Sequence, residues 1–253
     1  AATDVITLYG DNQGPQRNLG ASEDKLAVVA NGIDVRKFAH IDPAPATSRP
    51  TMALIGRVVP IKDVKTYIEA ARILSERLPD LRAWVVGPTE EDPEYYSECC
   101  RLVAEHGLEH VVKFTGPVNI LDYLGQIHVM VLTSLSESQP LVILEAGAAG
   151  IPFVATDVGS CREIIEGRAD EIPHLGAGGE ITHLAAADEI AAAAERLLTD
   201  HNWRRTAGDA LKARVSTRYT SEQAAGAYAD LYARFKAAPD MHTTYHAPMQ
   251  GAA

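Results

Sequence analysis

The feature that most constrains the fold of this 253-residue chain is a repeated alternation of short β-branched runs with longer amphipathic stretches. The run at residues 52–56 is followed by apolar residues at helical spacing through residues 63–78, and residues 83–87 are followed by a second such stretch at 93–106. This alternation is typical of a parallel sheet whose strands are joined by crossover helices. The sequence therefore predicts an α/β fold with a doubly wound, Rossmann-like parallel sheet.

The same pattern continues to residue 236 and completes the predicted sheet. A strand is predicted over residues 26–34, ahead of this sheet, and further strands of the sheet are predicted at residues 111–116, 128–133, 153–156 and 180–183, the last as an edge strand. One helix is predicted to begin at Pro140, with Ser138 or Gln139 near its cap, and others to cover residues 161–166, 187–199, 202–218 and 221–236. Because doubly wound sheets bind ligands at the carboxyl ends of their strands, the candidate chemistry is expected in the loops that follow the strands.

The charge and the cysteine content exclude several classes of function. Acidic residues outnumber Lys and Arg by 34 to 23, and the net charge of −11 argues against a nucleic-acid partner recognised through a broad basic surface. Cys99 and Cys100 are adjacent and Cys161 is alone, which fits neither a zinc site nor an even disulfide framework. We expect a reducing, cytoplasmic location, no bound metal and no resident cofactor.

The two ends of the chain differ from its centre. Residues 1–10 contain no initiating Met and neither the basic nor the apolar segment of a signal peptide, so we expect the chain to be a fragment. The longest mostly apolar stretch, residues 141–156, is interrupted by Glu145 and Pro152 and is shorter than the roughly 20 residues that span a bilayer. Residues 239–253 show no periodicity and are predicted to form a disordered tail.

Two cations follow the predicted strand at residues 52–56. Arg57 comes directly after it, and Lys62 lies five residues later. A guanidinium offers a planar fork of donors and an ammonium offers a compact charge, so the two together suit a diphosphate at the edge of the sheet. From these residues alone, an ordinary solvated loop is the alternative.

Two carboxylates follow the predicted strand at residues 128–133. Glu137 lies in a polar loop, and Glu145 lies inside the helix predicted to begin at Pro140. A loop carboxylate can accept hydrogen bonds from sugar hydroxyls, a carboxylate in the helix can reach ribose hydroxyls, and the free amides at a helix start favour phosphate. Taken alone, two such glutamates are usually surface residues or caps.

A resemblance to a known family joins these signals and covers about residues 3–236. The chain resembles the family-four retaining glycosyltransferases, which have the GT-B fold, in the stretches GRVVPIKDVKTYIEAA and TSLSESQPLVILEAGAAGIPFVATDVGSCREII. More narrowly, it is similar to the bacterial Pel-exopolysaccharide glycosyltransferase branch in VVGPTEEDPEYYSEC, VVKFTGPVNILDYL, TSLSESQPLVILEA and VATDVGSCRE.

The resemblance implies a donor site on the residues already singled out. Arg57 and Lys62 are expected to bind the diphosphate, Glu137 the donor sugar and Glu145 the ribose, with Arg57, Lys62 and Glu137 as the catalytic set. Backbone amides at the helix start are expected to hold the sugar and phosphates, and the loop after residue 115 to pack on the base. The remaining predicted substrate-binding residues lie in loops after strands or at the helix start: Gly87, Gly116, Pro117, Val118, Ser138, Gln139, Pro140, Leu141 and Val142.

The implied activity is transfer of a hexosyl unit from a UDP-sugar, with UDP-glucose as the first choice, to a carbohydrate acceptor with retention of configuration. Exopolysaccharide synthesis is the implied process, and a membrane polysaccharide-export complex is a possible partner. The alternative is a nucleotide-sugar-binding module without catalytic activity of its own, because the chain carries one of the two domains of a GT-B enzyme and is expected to be inactive alone.

The resemblance also implies a domain organisation. Residues 1–34 correspond to the end of an N-terminal acceptor domain and its linker, and residues 35–218 to the nucleotide-sugar-binding domain. Residues 219–238 correspond to a helix that returns to the first domain, and residues 239–253 to the tail. We expect the first and third of these segments to expose apolar surface.

Three positions depart from the family pattern. Ser138 stands where the family loop usually has Gly, so we expect an altered loop or a narrower choice of donor. Asp63 follows the lysine where many members have Gly, and Gly147 replaces a usual Met. The Gly is expected to cost about 1 kcal/mol in helix propensity and to leave packing space unfilled.

Overall fold

The computed structural model describes residues 4–237 and contains two parallel sheets. The small sheet pairs β1 (Val5–Thr7) with β2 (Leu26–Val28). The large sheet has six parallel strands in the order β5-β4-β3-β6-β7-β8. Their bounds are β3 Thr51–Ile55, β4 Arg82–Val86, β5 Val112–Gly116, β6 Val129–Leu132, β7 Phe153–Thr156 and β8 Gly179–Thr182. The predicted doubly wound sheet is confirmed, with β8 at one edge.

Helices cover both faces of the large sheet. Their bounds are α1 Gln13–Asn18, α2 Val64–Arg77, α3 Pro93–Glu105, α4 Leu121–Leu124, α5 Leu141–Ala148, α6 Cys161–Glu166, α7 Ala187–Thr199, α8 His201–Arg218 and α9 Ser221–Ala237. Side-chain caps explain several starts, because the carboxylates of Asp63, Asp92 and Asp200 accept backbone hydrogen bonds in the first turns of α2, α3 and α8. The sequence did not predict α1, which has no buried apolar residue and hence no periodic signal, or α4, which has only four residues.

Alternate residues of each strand supply the two hydrophobic layers. Met52 and Leu54 of β3 pack into the layer formed with α2, α3 and α7, whereas Ala53 faces the layer formed with α4, α5, α6 and α8. Both faces of the central strands β3, β6 and β7 are buried, so these strands read as nearly continuous apolar runs, whereas the edge strands β5 and β8 carry Lys113 and Glu180. The result is a three-layer α/β/α sandwich. The helices cover the two faces of the sheet and leave the two ends of the strands open.

Helix α8 packs unusually close to α5 at Gly147. A Cβ built there meets Val215 Cγ2 at 2.8 Å and Leu211 Cγ at 2.9 Å, so the space that a larger side chain needs is occupied by α8. The prediction that Gly147 leaves packing unfilled is therefore wrong. The absence of a side chain instead permits the close approach of the two helices.

The linker after β2 crosses the segment between α8 and α9. The strand predicted over residues 26–34 is shorter, ending at Val28, and Ile33 then forms an isolated parallel bridge with Thr220. The Ile33 amide donates to the Tyr219 carbonyl and the Ser221 amide donates to the Ile33 carbonyl, each at 2.9 Å. These bonds hold the linker against the start of α9.

Apolar side chains are exposed on the small sheet, on α1 and on α9, as expected for the first and third segments: Ile6, Leu19, Val28, Tyr228 and Tyr232. The predicted disordered tail, residues 239–253, lies outside the described residues. Within residues 4–237, no helix has the length and apolar character needed to cross a membrane.

Candidate functional site

The topology brings two predicted loops together at one point. Strand β3 lies between β4 and β6, so the connection after β3 runs to one side of the sheet and the connection after β6 runs to the other. A crevice forms where neighbouring connections diverge in this way, at the carboxyl ends of the strands. Lys62 lies in the loop after β3, and Glu137 lies in the loop after β6.

Lys62 and Glu137 form an ion pair in this crevice. The Lys62 Nζ atom lies 2.5 Å from Glu137 Oε1, and Ser134 Oγ donates to the same carboxylate oxygen at 2.7 Å. The two side chains are only 20% and 15% exposed. The ammonium is therefore held at the crevice by a carboxylate while retaining donor capacity for a ligand.

Hydrogen bonds fix the two loops relative to each other. Thr133 Oγ1 donates to the Lys62 carbonyl at 2.7 Å, and the Leu135 amide donates to the Ile61 carbonyl at 2.9 Å. Thr156 Oγ1 donates to the Ser134 carbonyl at 2.7 Å. Sequence reasoning missed these supports, although a Thr at the end of a buried strand, as at Thr156, or directly after one, as at Thr133, is a signal that could have identified them.

Asp63, directly after Lys62, has a strained backbone. It adopts a left-handed conformation with φ +45°, which Gly would adopt at lower cost. Its Oδ2 accepts from Thr66 Oγ1 at 2.6 Å, so capping of α2 offsets part of that cost. Ser138 is not among the described non-Gly residues with positive φ, and its carbonyl accepts from the Ser160 amide at 2.9 Å. The loop at Ser138 therefore does not use the positive φ that Gly permits, and the altered loop or narrower choice of donor stays a prediction.

Gly159 allows the loop after β7 to lie against the loop after β6. It has φ +55°, and a Cβ there meets the Ser138 carbonyl oxygen at 2.3 Å and that of Glu137 at 2.5 Å. A side chain at residue 159 would displace the segment that carries Glu137. This positioning role was not predicted from the sequence.

Arg57 lies at the same edge of the sheet but faces another partner. Its Nη1 lies 2.5 Å from Glu91 Oε1, and both side chains are about half exposed, at 53% and 50%. The hydrogen bond to Glu91 is the first cause that raises the pKa of Arg57, and the charges of Glu91 and Glu137 add to it. The structure thus separates the two predicted diphosphate cations, because Lys62 is paired with Glu137 and Arg57 with Glu91.

The helix after Glu137 begins one residue later than predicted and without a side-chain cap. Pro140 is the N-cap residue, and α5 begins at Leu141. Neither Ser138 nor Gln139 caps it, because Gln139 Oε1 accepts from the Asn31 amide at 2.6 Å. The first amides of α5, those of Leu141 and Val142, have no intrahelical acceptor and remain available to an anion.

Glu145 lies one turn into α5 and is half-buried. Burial raises the pKa of its carboxyl group. Its carboxylate forms no hydrogen bond or ion pair with the side chains and backbone described in residues 4–237. A desolvated carboxylate without a partner is a suitable acceptor for hydroxyl groups of a ligand.

The remaining predicted residues form a second loop pair at the same edge. Gly87 and Gly116 are joined by an isolated antiparallel bridge, with the Gly87 amide donating to the Gly116 carbonyl at 3.1 Å. A Cβ on Gly87 would meet the Gly56 carbonyl oxygen at 2.2 Å, so only Gly permits this approach of the strand ends. Pro117 is exposed and Val118 is half-buried beside them.

Taken together, the crevice offers a lysine, free helix amides and two carboxylates. A phosphate group fits the lysine and the amides, and hydroxyl groups fit the carboxylates. Residues 4–237 contain no group of three or more His, Cys, Asp or Glu side chains arranged to hold a metal ion.

The sequence of the chain matches that of a described protein family over residues 49–200, more than half its length. The family is the glycosyl transferases group 1. The chain belongs to this family. The broad resemblance predicted from the sequence is thus confirmed, and the glycosyltransferase assignment with it.

Relatives of the chain include D-inositol 3-phosphate glycosyltransferases from bacteria. The protein from Kribbella flavida is 31% identical over an alignment of 227 positions, which covers 83% of this chain and 49% of that protein. The protein from Kineococcus radiotolerans is 34% identical over 238 residues, with 85% and 53% covered. The chain therefore spans about half the length of the curated relatives it matches. No relative named here belongs to the Pel branch, which stays a prediction.

Solved glycosyltransferase structures share the fold. Anabaena Alr3699/HepE in complex with UDP superposes with a TM-score of 0.80 at 21% identity, over 92% of this chain and 64% of that one. Sucrose-phosphate synthase from Thermosynechococcus elongatus gives a TM-score of 0.78 at 25% identity, over 94% and 59%. The α/β architecture is thus that of one half of a GT-B glycosyltransferase.

Proposed function

We propose that this group 1 glycosyltransferase chain binds a UDP-sugar, with UDP-glucose as first choice, and serves a retaining transfer of the hexosyl unit to a carbohydrate acceptor. The observation that carries the proposal is the Lys62–Glu137 ion pair at the crevice between β3 and β6, beside the free amides of α5. It combines a group that binds phosphate with a group that binds sugar hydroxyls.

In the proposed complex, Lys62 and the first amides of α5 bind the diphosphate. Arg57 joins them by leaving Glu91, an exchange made easy by the half exposure of that ion pair. As the bond to the sugar breaks, negative charge grows on the leaving diphosphate, and fixed cations and amides stabilise that charge. Glu145 accepts from the ribose hydroxyls, and Glu137 accepts from the sugar.

The acceptor and the biological process are finer parts of the proposal. The Pel-like motifs favour a polysaccharide acceptor, whereas the relatives named above carry inositol 3-phosphate in their names. A GT-B enzyme acts with two domains, so activity on either acceptor requires the complementary half. A donor-binding module without activity of its own is the alternative for residues 4–237.

Titration calorimetry with UDP, UDP-glucose, GDP and ADP tests the proposal. We expect UDP and UDP-glucose to bind and the other two nucleotides to bind at least about tenfold more weakly, a difference of about 1.4 kcal/mol. Equal binding of GDP would overturn the choice of uridine. Absence of binding by all four compounds would overturn the donor site itself.

A further inference from the structure

A second cavity lies at the end of the large sheet opposite the donor crevice. It has a volume of about 330 Å³ and opens at the amino ends of β6 and β7. Its walls include His128, Gly150, Pro152 and the first turn of α8. This volume is within the range of small-molecule sites, and no residue of the proposed donor site lines it.

Arg204 is the most unusual group on the wall of this cavity. The residue is only 8% exposed, and its Nη1 donates to the carbonyls of Leu197 and Leu198 at 3.1 and 3.0 Å. Within residues 4–237, no carboxylate forms an ion pair with it, and burial lowers its pKa. A buried charge without a counter-charge is costly, and an anion in the cavity would offset that cost.

The start of α8 presents further donors to the same space. His201 and Asn202 line the cavity, and their amides belong to the first helical turn, which has no intrahelical acceptors. The carboxylate of Asp200, the N-cap residue of α8, accepts from the amide of Trp203 and not from the amides of His201 and Asn202. The free amides are thus oriented for an anion beside a buried guanidinium.

The residues that line the cavity carry more positive than negative charge, whereas the whole chain is acidic. Arg204 and Arg205 both line the cavity, and among its described lining residues Asp209 alone is acidic. The chain as a whole carries a net charge of −11. The two guanidinium groups outnumber the one carboxylate, so the local charge of the cavity favours an anionic ligand.

The rest of the wall is apolar and is formed mainly by Ala44, Ile127, Ile151 and Pro152. We propose that this cavity binds a small molecule with one compact anionic head, a carboxylate or a phosphate monoester, on a short apolar body. The head contacts Arg204, Arg205 and the first amides of α8, and the body packs on the apolar wall. The site is separate from the donor crevice.

Amide NMR shifts during titration with phenyl phosphate and benzoate test the proposal. Benzyl alcohol and benzylamine have similar bodies and serve as neutral and cationic controls. We expect both anions to shift the amides of Gly150 and Asn202 with dissociation constants on the order of millimolar, and the controls to bind at least about fivefold more weakly. Equal binding of benzyl alcohol, or no saturable shift of these amides by either anion, would overturn the proposal.

Two exposed residues give variants that leave the buried Arg204 in place. Arg205→Ala is expected to weaken phenyl phosphate binding by about fivefold, and Asp209→Asn is expected to strengthen it. Lys62→Ala provides the control for the donor crevice and should leave the shifts of Gly150 and Asn202 unchanged. If Lys62→Ala abolishes these shifts while Arg205→Ala does not, the anions bind in the donor crevice and the proposed second site is wrong.

Discussion

Two ion pairs of this chain show how burial separates a structural charge from a binding charge. Arg214 and Glu171 are 1% and 2% exposed, and the guanidinium donates to both carboxylate oxygens at 2.7 and 2.8 Å. It also donates to the carbonyls of Ile164, Ile165 and Gly176. Lys62 and Glu137 are 20% and 15% exposed and share one short contact.

The difference lies in how many donors are already used. The Arg214 guanidinium is enclosed and donates from all of its nitrogen atoms, so it ties the segment after α6 to α8 and has nothing to offer a ligand. The Lys62 ammonium has donors left and lies at an open crevice. Four substitutions test this contrast, in order of expected effect.

The largest effect is expected from Arg214→Ala. It leaves the Glu171 carboxylate buried without its main partner, so the free energy of unfolding should fall by about 3–5 kcal/mol. Urea denaturation measures this. The matched control is Arg218→Ala, which removes a second guanidinium that lies 3.8 Å from Glu171 and is 32% exposed, with an expected loss of less than about 1 kcal/mol. Equal losses in the two variants would contradict the structural role of Arg214.

Lys62→Ala should have the opposite effect to Arg214→Ala, with a large loss of ligand affinity and a small change in stability. We expect UDP affinity to fall by about 10- to 100-fold, because a charge-assisted contact to phosphate is lost, while the free energy of unfolding changes by less than about 1.5 kcal/mol. Calorimetry and urea denaturation on one preparation measure both. Lys113→Ala, on the exposed side of β5, is the charge-matched control and should keep wild-type affinity. Unchanged UDP binding by Lys62→Ala would remove the diphosphate role.

Glu145→Gln is expected to weaken UDP binding without lowering the stability of the fold. The substitution removes a half-buried negative charge, so stability at neutral pH should be equal or higher, whereas UDP affinity should fall by about tenfold through loss of a charged acceptor. Glu109→Gln, at an exposed position, controls for the change of charge. A loss of stability with unchanged affinity would contradict the ribose role.

The raised pKa of Glu145 also predicts how binding depends on pH. Ribose hydroxyls donate to the ionised carboxylate, so affinity should rise as pH increases through a pKa that lies above the ordinary value of 4.5. UDP-glucose is the suitable ligand, because both of its phosphates are esterified and do not titrate near this pH. The pH dependence should flatten in Glu145→Gln, and an unchanged profile would contradict the assignment.

The smallest effect is expected from Glu91→Gln. Freeing Arg57 from its exposed partner should strengthen UDP binding by about two- to threefold at low salt, and the gain should shrink as ionic strength rises. Calorimetry at two salt concentrations measures this. Glu94→Gln, at an exposed position of α3, is the control. Weaker binding by Glu91→Gln would mean that Glu91 supports the site instead of competing for Arg57.

The sequence predicted the elements well where hydrophobic periodicity is strong. Strand β7 and helices α6 and α7 have the predicted bounds, and the other strands of the large sheet differ by one residue at one or both ends. The strand predicted to reach Asp34 was too long, because an apolar run does not reveal that the chain after Val28 lacks a continuous partner strand.

The site was likewise predicted only in part. The alternation of strands and helices was enough to place Lys62 and Glu137 at the carboxyl ends of strands. Their direct contact, the pairing of Arg57 with Glu91 and the bond from Asn31 to Gln139 depend on side-chain positions across loops distant in sequence. No local pattern encodes such contacts. The roles of these residues in binding a donor stay predictions.

The sequence by itself determined the α/β class, the family and the edge of the sheet at which the candidate chemistry lies, because local periodicity and motif order specify them. Only the tertiary structure decided which charges are enclosed and which remain open to a ligand. Within residues 4–237, it paired Arg214 with Glu171 in the core, left Glu145 without a partner and placed Arg204 beside a cavity instead of a carboxylate. Burial and pairing are properties of the packed chain, and they separate a charge that holds the fold from one that can bind.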